Sequence, residues 1–337
     1  MTGIEIRLDE QAFFRFSREC GYLPGETKYL NLSARAAVNP LFSNGPEEFW
    51  VVLRDGKTVF RALTGYDRRF QAQTGKKWGY FSLFEGTLDA EAGAALLDQI
   101  LKRQRAWGCD AIVGPLSPDG SGFFHGLGLD ESASPFQTGT FSRGTLTGPA
   151  RPFAEQILLS GGFQKLDEDY AYLIRVPDEN KDREMAIKAS KRFSVEVQKL
   201  RPSAFREAWK RIPAQIAPEG TKADFLREME RIRPFLNVDF SFACMRGSEC
   251  LGYLLSVTEP HAPLRLSTLM TRDGCFQSPA VLLLISAAMD QCIRYRVPYV
   301  EASVIHDENV ASRRLVERFG GLKIRRYCRY YKNIEII

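Results

Sequence analysis

The chain has 337 residues, 44% of them hydrophobic and 26% charged, with a formal net charge of +5. A single core rarely grows beyond about 250 to 300 residues, so this length predicts two domains. The longest apolar run, 279–289, is shorter than the roughly 18 uncharged residues a membrane span needs, and residues 1–6 lack the basic start and apolar stretch of a signal peptide. A soluble, cytoplasmic protein is therefore expected. The seven cysteines form no CxxC pair and the three histidines, at 125, 261 and 306, are scattered. That spacing argues against a disulfide scaffold and a structural zinc centre, so no metal is expected and most of the cysteines read as free buried thiols.

Residues 9–20 read as a short amphipathic helix carrying Phe13, Phe14 and Phe16, followed by a loop to Gly45. Residues 48–54 and 58–64 read as strands around Asp55-Gly56-Lys57, because Asp-Gly between β-rich runs is a strong hairpin signal. An aromatic strand over 78–85 follows. Asp89 then caps a helix whose Ala92, Leu96, Leu97, Ile100 and Leu101 recur at helical spacing, and Gly108 ends it. Residues 110–113 form a buried strand closed by Gly114-Pro115. Residues 117–150 are rich in Gly, Ser, Thr and Pro, and a loop of that length is more often functional than merely connecting. Its Phe123, Phe124 and His125 either line a substrate pocket or plug the loop onto the core. A helix over 151–160, a strand over 169–176 and a linker over 176–181 complete the first half.

The second half repeats the plan: a strand at 193–200, helices at 203–216 and 221–233, a hairpin of 238–245 and 250–258, and a strand at 264–271. A helix at 280–294, a strand to Ile305, a turn at 306–309, a helix from Val310 to Phe319 stopped by Gly320-Gly321, and a basic aromatic strand at 322–332 follow. Alternating strands and helices of this kind predict an α/β (α+β) fold with a mixed sheet, built twice, with domains at 1–176 and 177–337. Lys188, Lys191, Arg192, Lys199, Arg201, Lys210 and Arg211 are interrupted by Asp182, Glu184, Glu196 and Glu207, which reads as a solvated face rather than a nucleic-acid surface. Gly120-x-Gly122 lacks the rest of a dinucleotide fingerprint.

Asn309-Val-Ala-Ser312-Arg-Arg-Leu315-Val-Glu-Arg318-Phe-Gly320, followed by Tyr327-Cys-Arg329-Tyr-Tyr331, is similar to the Asn-x-x-(Ala/Ser)-x-x-Leu-x-x-x-x-Gly stretch of the GNAT superfamily of acyl-CoA N-acyltransferases. Asn39-Pro-Leu-Phe42, Phe84-Glu85 and Gly114-Pro115-Leu116 resemble uncharacterised bacterial proteins with two such domains. With the element order, the chain resembles a tandem GNAT protein. The resemblance implies transfer of an acyl group from acetyl-CoA or another acyl-CoA to the amine of a small molecule or peptide. It leaves two alternatives: an aminoacyl-tRNA-dependent transferase, with tRNA as the one nucleic-acid partner, or a non-catalytic GNAT-fold binding module.

By the same resemblance, the pyrophosphate loop of the second half is Cys275-Phe-Gln-Ser278-Pro-Ala280, against a superfamily pattern of Gln/Arg-x-x-Gly-x-Gly/Ala. Arg272, Gln277, Ser278, Ala280, Asn309 and Arg313 are the cofactor-binding candidates; Asn309 is equally suited to capping a helix. Pro279 removes one N–H donor from the helix N-terminus where phosphates are usually held. The first half has Glu85-Gly-Thr-Leu-Asp89-Ala-Glu91 at the equivalent place, three carboxylates that oppose an anion. Residues 1–176 carry 19 Lys/Arg against 21 Asp/Glu, so the basic excess lies in 177–337, and any acyl-CoA site is expected there. The catalytic candidates are Glu301 as base, unless it is an exposed strand carboxylate, His306 as base or phosphate contact, and Tyr330 as acid. The superfamily's tyrosine acid, one residue after the motif's Leu, is Val316 here, which argues against ordinary acetyl transfer and leaves Tyr327, Tyr330 and Tyr331 on the next strand as the candidate substitutes.

Overall fold

A computed structural model describes residues 3–16, 45–66, 68–115, 127–131, 152–200, 236–258, 263–271 and 278–335. The helices expected at 203–216 and 221–233, the Asn39–Phe42 motif, and Phe123, Phe124 and His125 lie outside them. The chain forms two compact units, Met1–Tyr170 with Arg325–Ile337, and Ala171–Ile324. The mixed α/β expectation is borne out in both. The last strand, expected with the second half, falls in the first unit from Arg325 onward.

The first unit contains β1 (Ile4–Leu8), α1 (Glu10–Arg15), β2 (Glu47–Arg54), β3 (Lys57–Tyr66), α2 (Arg68–Thr74), β4 (Trp78–Gly86), α3 (Ala90–Ala106), β5 (Ala111–Gly114), β6 (Leu127–Glu131), α4 (Pro152–Ser160) and the start of β7 (Gln164–Arg175). Arg54 pairs with Lys57 across the β2–β3 turn, where Asp55 and Gly56 both take positive φ, 51° and 75°. Glycine and Asp are suited to that backbone, and it matches the twist of the flanking strands. Strands β1 to β4 are antiparallel neighbours, and β4 pairs with β5 in parallel. The C-terminal β13 (Leu322–Asn333) then runs antiparallel to β5, with Tyr330 opposite Gly114. Helix α3 buries Ala92, Leu96, Leu97, Ile100 and Leu101, the face its periodicity predicts, against Phe60, Phe81, Phe84 and Phe163.

The second unit contains α5 (Arg183–Phe193), β8 (Glu196–Lys199), β9 (Phe242–Arg246), β10 (Glu249–Val257), β11 (Leu264–Thr271), α6 (Pro279–Arg294), β12 (Tyr299–His306) and α7 (Val310–Arg318). Its sheet runs β8-β9-β10-β11-β12, followed by the Ala171–Arg175 stretch of β7. Ala280, Leu283, Leu284 and Ala288 of α6 pack on Phe242, Cys244 and Leu254. Helix α5 was not expected, because Arg183–Phe193 mixes charged with small and apolar residues and buries only Ala186. Strands β1 and β6 and helix α2 were missed as well; they are short, and β6 sits within the Gly-rich stretch.

Candidate functional site

Within the second unit, β11 and β12 run parallel and pair at Leu264↔Val300, Arg265↔Glu301 and Leu266↔Ala302. Beyond that rung both strands continue, to Thr271 and His306, and no further pair joins them among the described residues. Ser267 stands where they part. On its other edge β11 pairs Leu266 with Ser256 and Thr268 with Leu255, so Ser267 is the extra residue of a β-bulge. A cavity of about 240 Å³ occupies this fork, lined mainly by β11, β12, α6 and α7, with Ile174 of β7 and Leu254 of β10. Val300, Ala302 and Val304 line it in alternation along β12, and Ile305 joins them near the end of the strand. Among the described residues its polar lining is Ser267, Thr268, Asn309 and Ser312, and none of those that line it is charged.

The corresponding fork in the first unit is closed. Pairing of β4 with β5 ends at Tyr80↔Val113, and the next residue, Phe81, is fully buried, its ring 5.6 Å from Phe163 and 5.9 Å from Phe84. A Cβ on Gly114 would lie 2.4 Å from the Phe81 carbonyl oxygen, so β4 and β5 stay in close approach there and only glycine fits. The N-terminus of α3 is also taken. Asp89 accepts the Ala92 amide at 3.0 Å and is gripped by Arg54 at 2.6 and 3.0 Å, while Arg54 also binds Glu91 at 2.9 Å. The Arg54 hydrogen bonds hold the Asp89 carboxyl below its ordinary value, against an opposing effect of burial. Glu85 is paired with Arg61, both almost wholly buried. The three carboxylates therefore bind arginines of their own chain.

No protein-family model matches the sequence, and no curated protein does either. Solved structures do. A tandem GNAT protein from the clavulanic acid biosynthesis pathway aligns over 99% of both chains, at 12% identity and a TM-score of 0.63. The chain has a tandem GNAT fold. A GCN5-related N-acetyltransferase from Sphaerobacter thermophilus aligns over 98% of this chain and 96% of its own, at 13% identity and a TM-score of 0.53. A GCN5-related glucosamine N-acetyltransferase region of a fungal multi-domain GH3 β-N-acetylglucosaminidase aligns over 98% of this chain, at 13% identity and a TM-score of 0.64. The chain spans 38% of that fungal protein's length.

The tandem GNAT fold sets the sequence-derived residues in the following places. Arg272 and Gln277 lie outside the described residues. Ser278 caps α6: its Oγ accepts the Ala280 amide at 3.2 Å, and its carbonyl accepts the Val281 amide at 3.0 Å. With Pro279 between them, the first three residues of α6 present no uncommitted N–H to a phosphate. Asn309 caps α7 by accepting the Ser312 amide at 3.1 Å, which is the capping reading of it, and it also lines the cavity. Arg313 is tied to Asp307 at 3.0 Å, on the flank of α7 away from the cavity lining. Val316, where the superfamily carries tyrosine, is an apolar part of the cavity wall.

The catalytic candidates are not gathered. Glu301 alternates with Val300 and Ala302 and so points to the opposite face, where it is 1% exposed and 3.4 Å from Arg265. The reading of Glu301 as an exposed carboxylate is thus corrected: the strand is covered on both faces. His306 ends β12; its Nδ1 accepts the Glu308 amide at 3.2 Å, which leaves the proton of a neutral ring on Nε2. Tyr330 belongs to the first unit, where it is fully buried and its hydroxyl donates to Glu155 at 2.5 Å. Burial, followed by that hydrogen bond, pushes its hydroxyl far above the ordinary tyrosine range.

Two features escaped the sequence reading. The bulge at Ser267 leaves only a Ser-Thr pair inside an apolar strand as its trace. Tyr172, on β7, is 1% exposed, and its hydroxyl has no hydrogen-bond partner among the described residues. Burial raises its pKa, and the nearby Glu317 raises it further, against Arg313. Alternation places Tyr172 on the same face as Ile174, which lines the cavity.

Proposed function

We propose that the second unit binds an acyl thioester of CoA in the fork between β11 and β12 and passes the acyl group to an amine on a small molecule or peptide. The fork itself carries this reading. Parting two parallel strands gives up backbone hydrogen bonds, and an extended donor laid between them replaces those partners. In the transfer the amine nitrogen forms a bond to the thioester carbon as the C–S bond breaks; the amine's proton leaves, and the thiolate is protonated. His306, with its Nε2–H at the end of β12, is suited to donating a hydrogen bond to the thioester or its leaving group. Glu301 is held by Arg265 on the far face and serves to fix the two strands where they part. Among the described residues, Pro279, Ala280 and Val281 offer the pyrophosphate no uncommitted amide; Arg272 is the cationic contact this reading proposes for it.

Isothermal titration of the full chain with CoA and acyl-CoAs tests this reading. Saturable binding weakened by Arg272→Glu supports it, and no heat with any thioester contradicts it. The capped start of α6 and the aliphatic Val316 favour a second reading, a module that binds an acyl group without transferring it. Binding without CoA release in the presence of amines identifies that case. The same capped helix suits a donor that has no pyrophosphate, such as aminoacyl-tRNA, and a gel shift with charged tRNA separates it.

A further inference from the structure

We infer that the cavity of the second unit receives the hydrocarbon chain of the acyl donor, so that the donor is a medium- or long-chain acyl thioester and not the acetyl one. This rests on the transferase reading for its orientation, but its observations are separate. The cavity has two ends. Where β11 and β12 have parted, its lining is mixed: Ser267, Thr268, Asn309 and Ser312 set polar groups among Leu269, Val304 and Ile305. Where they are still paired, at Leu266↔Ala302 and back to Val300, the lining is entirely aliphatic or aromatic, roofed by Met289 of α6 and by Val316 and Phe319 at the end of α7.

The mixed end suits a thioester and its pantetheine amides, which need hydrogen-bond partners when buried. The inner end offers them none, and leaving an amide unpaired there costs about 1–3 kcal/mol. Only hydrocarbon fits without that cost. The stretch from Val300 to Val304 runs about 13 Å at roughly 3.3 Å per residue, a length suited to a chain and not to a methyl group. In volume, about 240 Å³ exceeds the roughly 150 Å³ of an apolar cavity that takes up benzene. Val316 contributes directly. A tyrosine at that place would set a ring and a hydroxyl into the inner end, whereas valine leaves the space open and its wall apolar.

The test is a titration series on the full chain with free CoA and with acetyl-, butyryl-, hexanoyl-, octanoyl- and decanoyl-CoA, repeated with the matching N-acetylcysteamine thioesters. Each added methylene is expected to tighten binding about fourfold, the equivalent of about 0.8 kcal/mol, until the cavity is filled. Ala302→Phe and Val316→Phe, which fill the inner end from opposite walls, are expected to flatten that dependence. A dependence that both variants leave unchanged places the chain elsewhere and overturns the inference. Acetyl-CoA binding as tightly as octanoyl-CoA also overturns it while leaving the transferase reading intact. A gain with chain length confined to the cysteamine series, with no CoA compound bound, keeps this inference and ends the CoA reading. No binding in either series overturns both.

Discussion

Arg265 and Glu301 face each other across β11 and β12, one rung before the strands part, with 3% and 1% of their side chains exposed. Two charges buried this deeply hold the register of the fork only while both are present. Removing one takes away the opposite charge that faces the other in this buried setting, a change that costs about 3–5 kcal/mol. Glu301→Ala is therefore expected to lower stability by that order, measured by urea unfolding. A variant that unfolds like the native chain yet fails to transfer acyl groups would instead mark Glu301 as a base.

Ser278 spends its hydroxyl on the Ala280 amide. Ser278→Gly releases that N–H at a loss of only a few tenths of a kcal/mol in capping. A charge-assisted hydrogen bond contributes about 1.5–3 kcal/mol, so CoA affinity is expected to rise roughly tenfold or more if the pyrophosphate sits at α6. Unchanged affinity in a calorimetric titration would move the pyrophosphate away from this helix.

The unpartnered hydroxyl of Tyr172 gives the opposite sign from most core substitutions. Tyr172→Phe keeps the ring and removes a buried group without a partner, so stability is expected to hold or to rise by about 1–3 kcal/mol. A clear loss of stability on thermal unfolding would show that the hydroxyl has a partner.

The Asp89–Arg54 clamp predicts a pH dependence in the first unit. A carboxyl held below its ordinary value contributes stability that is present above about pH 3.9 and is lost as the pH falls through the folded-state value. The difference in Tm between the native chain and Asp89→Asn should be constant from about pH 5 upward and close below about pH 4. A difference unchanged at pH 3 would contradict the clamp.

What the sequence made legible is what local chemistry dictates. Asp55-Gly56 specified a tight hairpin because few residues tolerate both positive φ values, and the spacing of Ala92, Leu96, Leu97, Ile100 and Leu101 specified the buried face of α3. Asn309 was readable as a cap because an Asn side chain satisfies an amide three residues on. Long-range placement was not readable. Tyr330 sits on a strand whose aromatic character says nothing of which sheet it joins, and it lies with Glu155 in the first unit. Glu301 is buried because Arg265, distant in sequence, stands opposite it. Ser267 bulges because of how β11 registers with β10, a property of the pair and not of either strand.

A crystal structure of the full chain grown with octanoyl-CoA tests the central claim most directly. The expected result is thioester density in the fork beside Ser267 and Asn309, with the chain running along Val304, Ala302 and Val300 toward Met289. Density for the acyl group in the first unit, or a second-unit fork bridged by continued pairing of β11 with β12 and holding no thioester, would contradict it.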